Sequence, residues 1–232
     1  MKLHMLSGGA AQGLVAGLAD QFRSATGAEI AATFGAIGAM KERLLAGVPA
    51  DLVILSQGMV ADLVRAGLLV EGTAVDIGIV HTGLAARAGD PVPQVLDATG
   101  LRDALRRADA IYFPDPTLAT AGIHFAKVMR QLGVATELAG RVRNFPNGHA
   151  AMKAMSAQIG RSPIGCTQVT EILGTPGITL AGLLPHEFEL ATIYTAAVSC
   201  RAAQPDAAQR LAAAMAAAPI DLREQLGFAA AP

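Results

Sequence analysis

Three strand-then-helix units stand in a row up to Ala66, each a short apolar run followed by a stretch with helical spacing, without any repeat of the sequence itself. LHML (Leu3 to Leu6) reads as a strand and Gly8-Gly9 as its turn. Gln12 to Thr26 follows as a helix, with Leu14, Val15, Leu18, Ala19 and Phe22 on one face. Gly27 is placed to end it. EIAATFG is the second strand and Ala39 to Ala46 the second helix. DLVILS is the third strand, and its unbroken apolar character predicts burial on both faces. Met59 to Ala66 is the third helix. Strand and helix alternating in this way demand a parallel sheet, because each helix must carry the chain back across it.

The rhythm then changes. Val75 to Gly89 reads as a long strand with no helix behind it, Leu101 to Ala108 as a short helix, and AIYFP as a strand. A Pro- and Thr-rich turn, PDPTLATAG, leads to a helix ending near Leu132. RVRNFP reads as a strand, His149 to Ile159 as a helix, and PIGCTQV, ITLAGLLP and ATIYTAAVSC as further strands. Pro205 to Ala217 and Asp221 to Leu226 are helical. The expected organisation is a two-lobed α/β fold. Residues 1–80 plus 196–232 form one lobe and 81–195 the other, with a ligand cleft between lobes.

Composition removes several classes. The net charge is -1 and aromatic residues make up 4%, so neither a basic face nor stacking platforms for nucleic acid are expected. No apolar run reaches the roughly 18 residues of a membrane span. The histidines (His4, His81, His124, His149, His186) show no metal-ligand spacing, and no Cys cluster joins them, so no metal site is expected. There is no nucleotide-binding loop and no flavin or nicotinamide fingerprint, so no cofactor is expected. Cys166 and Cys200 both fall in segments that read as buried strands, where free Cys acts as a small hydrophobe. MKLHMLSGG lacks the pattern of an export signal. That places the chain in the cytoplasm if it is complete, and in the periplasm if a leader has been removed.

Five stretches resemble, in order and over nearly the whole length, the type II periplasmic binding proteins. They resemble in particular the molybdate-binding proteins and their divergent relatives. The stretches are the turn Leu6-Ser7-Gly8-Gly9-Ala10-Ala11, the segment FRSATGAEIAATFGAIGAMKERLLAGVPADLVILS, the turn and helix PDPTLATAGIHFAKVMRQLGV, PIGCTQVTEIL, and LAGLLPHEFELATIYTAAV. The resemblance implies a cleft that captures a small anion, with a transporter permease as partner. Two departures bear on the ligand. Where the molybdate binders carry a serine in the second turn, this chain has Ile37, and their tyrosine aligns near Thr167. A buried oxyanion wants several converging donors. Ile37 offers only its N–H and an apolar wall, which turns the expectation from molybdate or tungstate towards an organic di- or tricarboxylate. The divergent relatives also include aconitate isomerase, an enzyme that shifts a double bond in a tricarboxylate, so an isomerase is the alternative.

Helix starts carry unpaired N–H groups and suit anions. The resemblance places ligand contacts at such turns, which implies Ser7, Gly8 and Gly9 in the first turn and Ala36, Ile37 and Gly38 in the second as ligand-binding residues. Thr120, Ala121 and Gly122 follow at the later helix start, then Asn147, Thr167 and Gln168. Each has a plainer reading as a cap or a tight turn. Small residues at Ala121 and Gly122 would let a ligand approach the backbone, and the Gln168 amide both donates and accepts. For an isomerase, His124, His81 and Tyr194 are the candidate catalytic residues. Arg87, Arg143 and Arg161 could clamp a carboxylate.

Overall fold

The computed structural model describes residues 1–158 and 162–229. In chain order its elements are β1 (Lys2–Gly8), α1 (Gln12–Thr26), β2 (Glu29–Gly35), α2 (Ile37–Leu45), β3 (Leu52–Ser56), α3 (Gln57–Arg65) and β4 (Val75–Arg87). Then come α4 (Ala98–Arg107), β5 (Ile111–Pro114), α5 (Thr120–Gln131), β6 (Val142–Phe145), α6 (Gly148–Ser156), β7 (Ile164–Gln168), α7 (Val169–Leu173) and β8 (Ile178–Leu183). β9 (Ala191–Val198), α8 (Pro205–Ala216) and α9 (Ile220–Gln225) close the chain. No helix of the described residues is long and apolar enough to cross a membrane.

The chain divides into two compact units, Met1–Val80 with Thr192–Pro232, and His81–Ala191. Tyr194 and Thr195 lie in the first unit and pair with Ser56 and Leu55 of β3.

In the first unit β1 pairs in parallel with both β2 and β3, and β3 pairs antiparallel with β9. α1 ends at Gly27, whose φ of 69° is the left-handed stop its position predicts. β3 is buried through Leu52, Val53, Ile54 and Leu55, as its continuous apolar run requires. Asp51 precedes it and is 2% exposed. Its Oδ2 accepts from His4 N at 2.7 Å, and its Oδ1 from Ala203 N at 2.7 Å and Gln204 N at 2.9 Å. One carboxylate thereby ties β1 and β3 to the chain entering α8.

In the second unit β5 pairs in parallel with β6 and β7, while β4 runs antiparallel to β7 and to β8. One face of this sheet packs on Phe113, Phe125 and Leu105. Another cluster gathers Tyr112, Met152, Met155 and Ile172.

Several boundaries differ from the expectation. β1 continues through Ser7 and Gly8, and a 3-10 turn, Gly9–Ala11, leads into α1. α2 and α5 start at Ile37 and Thr120, two residues before the first apolar-periodic positions suggested. α7 escapes a reading by period because five residues span little more than one turn. Ile159, the expected end of α6, lies outside the described residues. Cys166 is buried in β7, and burial pushes its thiol well up. Cys200, expected in a buried strand, is exposed just past the end of β9, and both thiols are free.

Candidate functional site

In the first unit the carboxyl ends of β1, β2 and β3 lie on one edge, and each runs into a helical turn. The carboxyl edge of a parallel sheet is where open α/β folds bind ligands. No side chain caps the turn after Gly8, or α1, α2 or α3. In α2 the first amide to bond back is Met40, to Ala36 O at 3.0 Å. The amides of Ile37, Gly38 and Ala39 therefore have no partner within the helix. Ser7 is fully buried, and its hydroxyl donates to Gly8 O at 2.9 Å. Its proton holds the turn, and its lone pairs remain.

Space above Gly8 is closed by apolar groups. A Cβ there would stand 2.8 Å from Ile37 Cγ2 and 2.9 Å from Tyr194 Cε1. Tyr194, on β9, is 3% exposed. The first turn, the start of α2 and an aromatic ring thus meet, with bare amides beside an apolar wall. Gly8→Ala is expected to cost about 1–3 kcal/mol by overpacking, read by urea denaturation. An unchanged midpoint would mean that Ile37 and Tyr194 move aside freely.

In the second unit β5, β6 and β7 end on one edge. Thr117, not Thr120, serves the turn after β5. Its hydroxyl donates to Asp115 Oδ1 at 2.6 Å, and Thr117 N and Leu118 N donate to the same oxygen at 2.7 and 2.9 Å. The Thr117 hydroxyl first, and its amide next, hold the Asp115 carboxyl below its ordinary range. Thr120 is the first residue of α5, after Ala119 as an N-cap without a side-chain bond. Ile123 N bonds back to Ala119 O at 2.9 Å, so the amides of Thr120, Ala121 and Gly122 lack helical partners. Gly122 is small for a local reason. A Cβ on it would press on the carbonyl oxygens of Pro114 and Asp115 and stand 2.7 Å from Asp115 C.

Asn147 caps its own helix, its Oδ1 accepting from Ala150 N at 2.8 Å. Thr167 is fully buried and donates to Glu171 Oε2 at 2.6 Å. The next residue, Gln168, is 3% exposed, and neither atom of its amide has a hydrogen-bond partner among the described residues. Buried polar atoms are nearly always paired, so an unpaired amide marks a place for an added partner.

The candidate bases are partly engaged. His124 Nε2 lies 2.8 Å from Phe188 O, which fixes the proton on that nitrogen and leaves Nδ1. His81 Nδ1 lies 3.0 Å from Glu189 Oε1, an ion pair when the ring is protonated. Of the arginines, Arg87 pairs with Asp90 at 2.9 Å, and Arg143 donates to Gly140 O and Val142 O. Arg161 lies outside the described residues. The sequence reading passed over two acids, Asp115 and Glu171. Thr167 lies in β7 and Glu171 in α7, so the pair crosses a strand-to-helix junction and no single period marks it.

Residues 3–220 match the bacterial extracellular solute-binding proteins, and the chain belongs to that family. An aconitate isomerase from Pseudomonas sp. is 25% identical over 215 residues, 90% of this chain and 80% of that protein. The periplasmic molybdate-binding protein of Azotobacter vinelandii superposes with a TM-score of 0.79 at 17% identity, covering 99% of this chain and 100% of that one. PEB3 of Campylobacter jejuni with bound L-phospholactate superposes with a TM-score of 0.70 at 13% identity, covering 99% and 100%. These structures share the periplasmic-binding-protein fold with this chain, and a fold does not choose a ligand.

Proposed function

We propose that this protein captures a small organic carboxylate, di- or tricarboxylic, and delivers it to a transporter permease on the outer side of the cytoplasmic membrane. The observation that carries this reading is the joint made by Gly8, Ile37 and Tyr194. Unpaired amides there suit a carboxylate, while the ring and the isoleucine suit the carbon skeleton attached to it. A compact tetrahedral oxyanion has no carbon to place against that wall. Within the second unit, Thr120 and Ala121 offer unpaired amides and Gln168 both donates and accepts, a set of groups that suits a solute carrying a hydroxyl or a carboxylic proton.

The test is a thermal-shift screen of the intact chain against molybdate, tungstate, sulfate, citrate, cis- and trans-aconitate and smaller dicarboxylates. A ligand at 100 times its dissociation constant adds about 2.7 kcal/mol, a clear rise in melting temperature. A response to molybdate or tungstate alone would overturn the reading. Thr120→Ala gives a residue-level check. Because Thr120 is not the cap of α5, its loss should leave stability within about 0.5 kcal/mol while weakening solute affinity several-fold. Equal affinity in calorimetry would remove Thr120 from the site.

Similarity to aconitate isomerase favours one second reading, double-bond migration in a tricarboxylate. That reaction needs a base within reach of the substrate carbon, and His124 Nδ1 is the free nitrogen at α5. Proton NMR of trans-aconitate with the purified chain separates the two. Appearance of the cis isomer, abolished in His124→Gln, makes the protein an enzyme.

A further inference from the structure

α6 is a nine-residue helix of the second unit, and its start points at a side chain of the protein itself. Glu171, on α7, is 7% exposed. Its Oε2 accepts the Thr167 hydroxyl at 2.6 Å. Burial pushes its carboxyl above the ordinary range, and the Thr167 hydroxyl and the backbone amides of His149, Gln168 and Gly148 act against that by favouring the charged form. Every one of these partners donates. The carboxyl also fills the room left by the missing side chain of Gly148. A Cβ there would stand 2.6 Å from Glu171 Cδ, with the carboxylate oxygen and the Thr167 hydroxyl nearer still. A helix N-terminus, a hydroxyl and a glycine gap are what a bound anion would use, and here an internal carboxylate already uses them.

We propose that Glu171 is a built-in counter-anion that fills the anion hole at the start of α6 and thereby sets solute selectivity. It withdraws Thr167 and the α6 amides from the solute. It also places a buried negative charge three residues from Gln168, the amide left unpaired. A solute group at the β7 end therefore meets repulsion if it is a further carboxylate, and two hydrogen-bonding atoms of Gln168 if it is neutral and polar. Within the proposed carboxylate class, this favours dicarboxylates with a hydroxyl over tricarboxylates. The selectivity half rests on the function proposed above; the filled hole does not.

The experiment melts the wild-type chain, Glu171→Ala and Glu171→Gln in rising formate, with chloride at matched ionic strength. Glu171→Ala empties the hole, so formate should raise its melting temperature by roughly 2–4 °C and leave wild type and Glu171→Gln unmoved. Formate acting equally on all three overturns the filled hole. In calorimetry with malate and tricarballylate, Glu171→Gln should shift the affinity ratio roughly tenfold towards the tricarboxylate, since it keeps an acceptor for Thr167 and removes the charge. An unchanged ratio overturns the selectivity role. If Glu171→Ala does not fold, the Glu171→Gln ratio still decides. If no carboxylate binds wild type, the function proposed above fails while formate still reports on the hole.

Discussion

Gly122→Ala is expected to lose about 3 kcal/mol or more, although it adds a single methyl group to a helix. In an exposed helix that change gains up to about 1 kcal/mol, because alanine is the better helix former. Here the methyl would stand 2.7 Å from Asp115 C and closer to two carbonyl oxygens. These are backbone atoms, so no side chain can swing away. α5 would have to lift off the turn that follows β5, losing the packing of Phe125 against Phe113, whose rings meet edge-on at 5.3 Å. Overpacking alone costs 1–3 kcal/mol, and backbone displacement adds to it. Gly58, near the start of α3, has nothing within 4 Å of the same added atom and serves as the control. Gly58→Ala should be neutral or stabilising in the same urea titration. If Gly122→Ala behaves like Gly58→Ala, the close approach of α5 to its turn is not a feature of the folded protein in solution.

Asp51→Ala should be comparably damaging, by about 3–5 kcal/mol out of a typical 5–15. It would strip partners from the amides of His4, Ala203 and Gln204 at once. The three bonds are part-buried, and each hydrogen bond to a charged acceptor contributes about 1.5–3 kcal/mol. Asp51→Asn keeps one carbonyl acceptor and turns an amide donor towards the remaining N–H, so roughly half the loss is expected. A fall in the urea midpoint with an unchanged slope would show a weakened but intact fold. A change below about 1 kcal/mol for Asp51→Ala would mean that water replaces the carboxylate, and that the three segments are not tied through it.

The first three βα units were legible because their periods are local. Helical spacing in Gln12 to Thr26 and the unbroken apolar run of β3 state their neighbours' geometry directly, and both stand in the structure. The pairing of β9 with β3 was not legible, since an antiparallel partner more than a hundred residues away leaves no mark on local spacing. For the candidate site, sequence marked the turns at Ser7–Gly9, Ala36–Gly38 and Thr120–Gly122, because small residues before an amphipathic run announce a helix start. It did not say what each small residue makes room for. Gly8 makes room for Ile37 and Tyr194, Gly122 for the carbonyls of Pro114 and Asp115, and Gly148 for Thr167 and Glu171. Nor could it show that Thr117 rather than Thr120 serves the turn after β5, or that Asn147 and Thr167 are already bonded within the protein. A residue's type limits which bonds it can make, and this much the sequence determined. Which of those bonds are already made depends on atoms brought together from distant parts of the chain, and only the tertiary structure decided that.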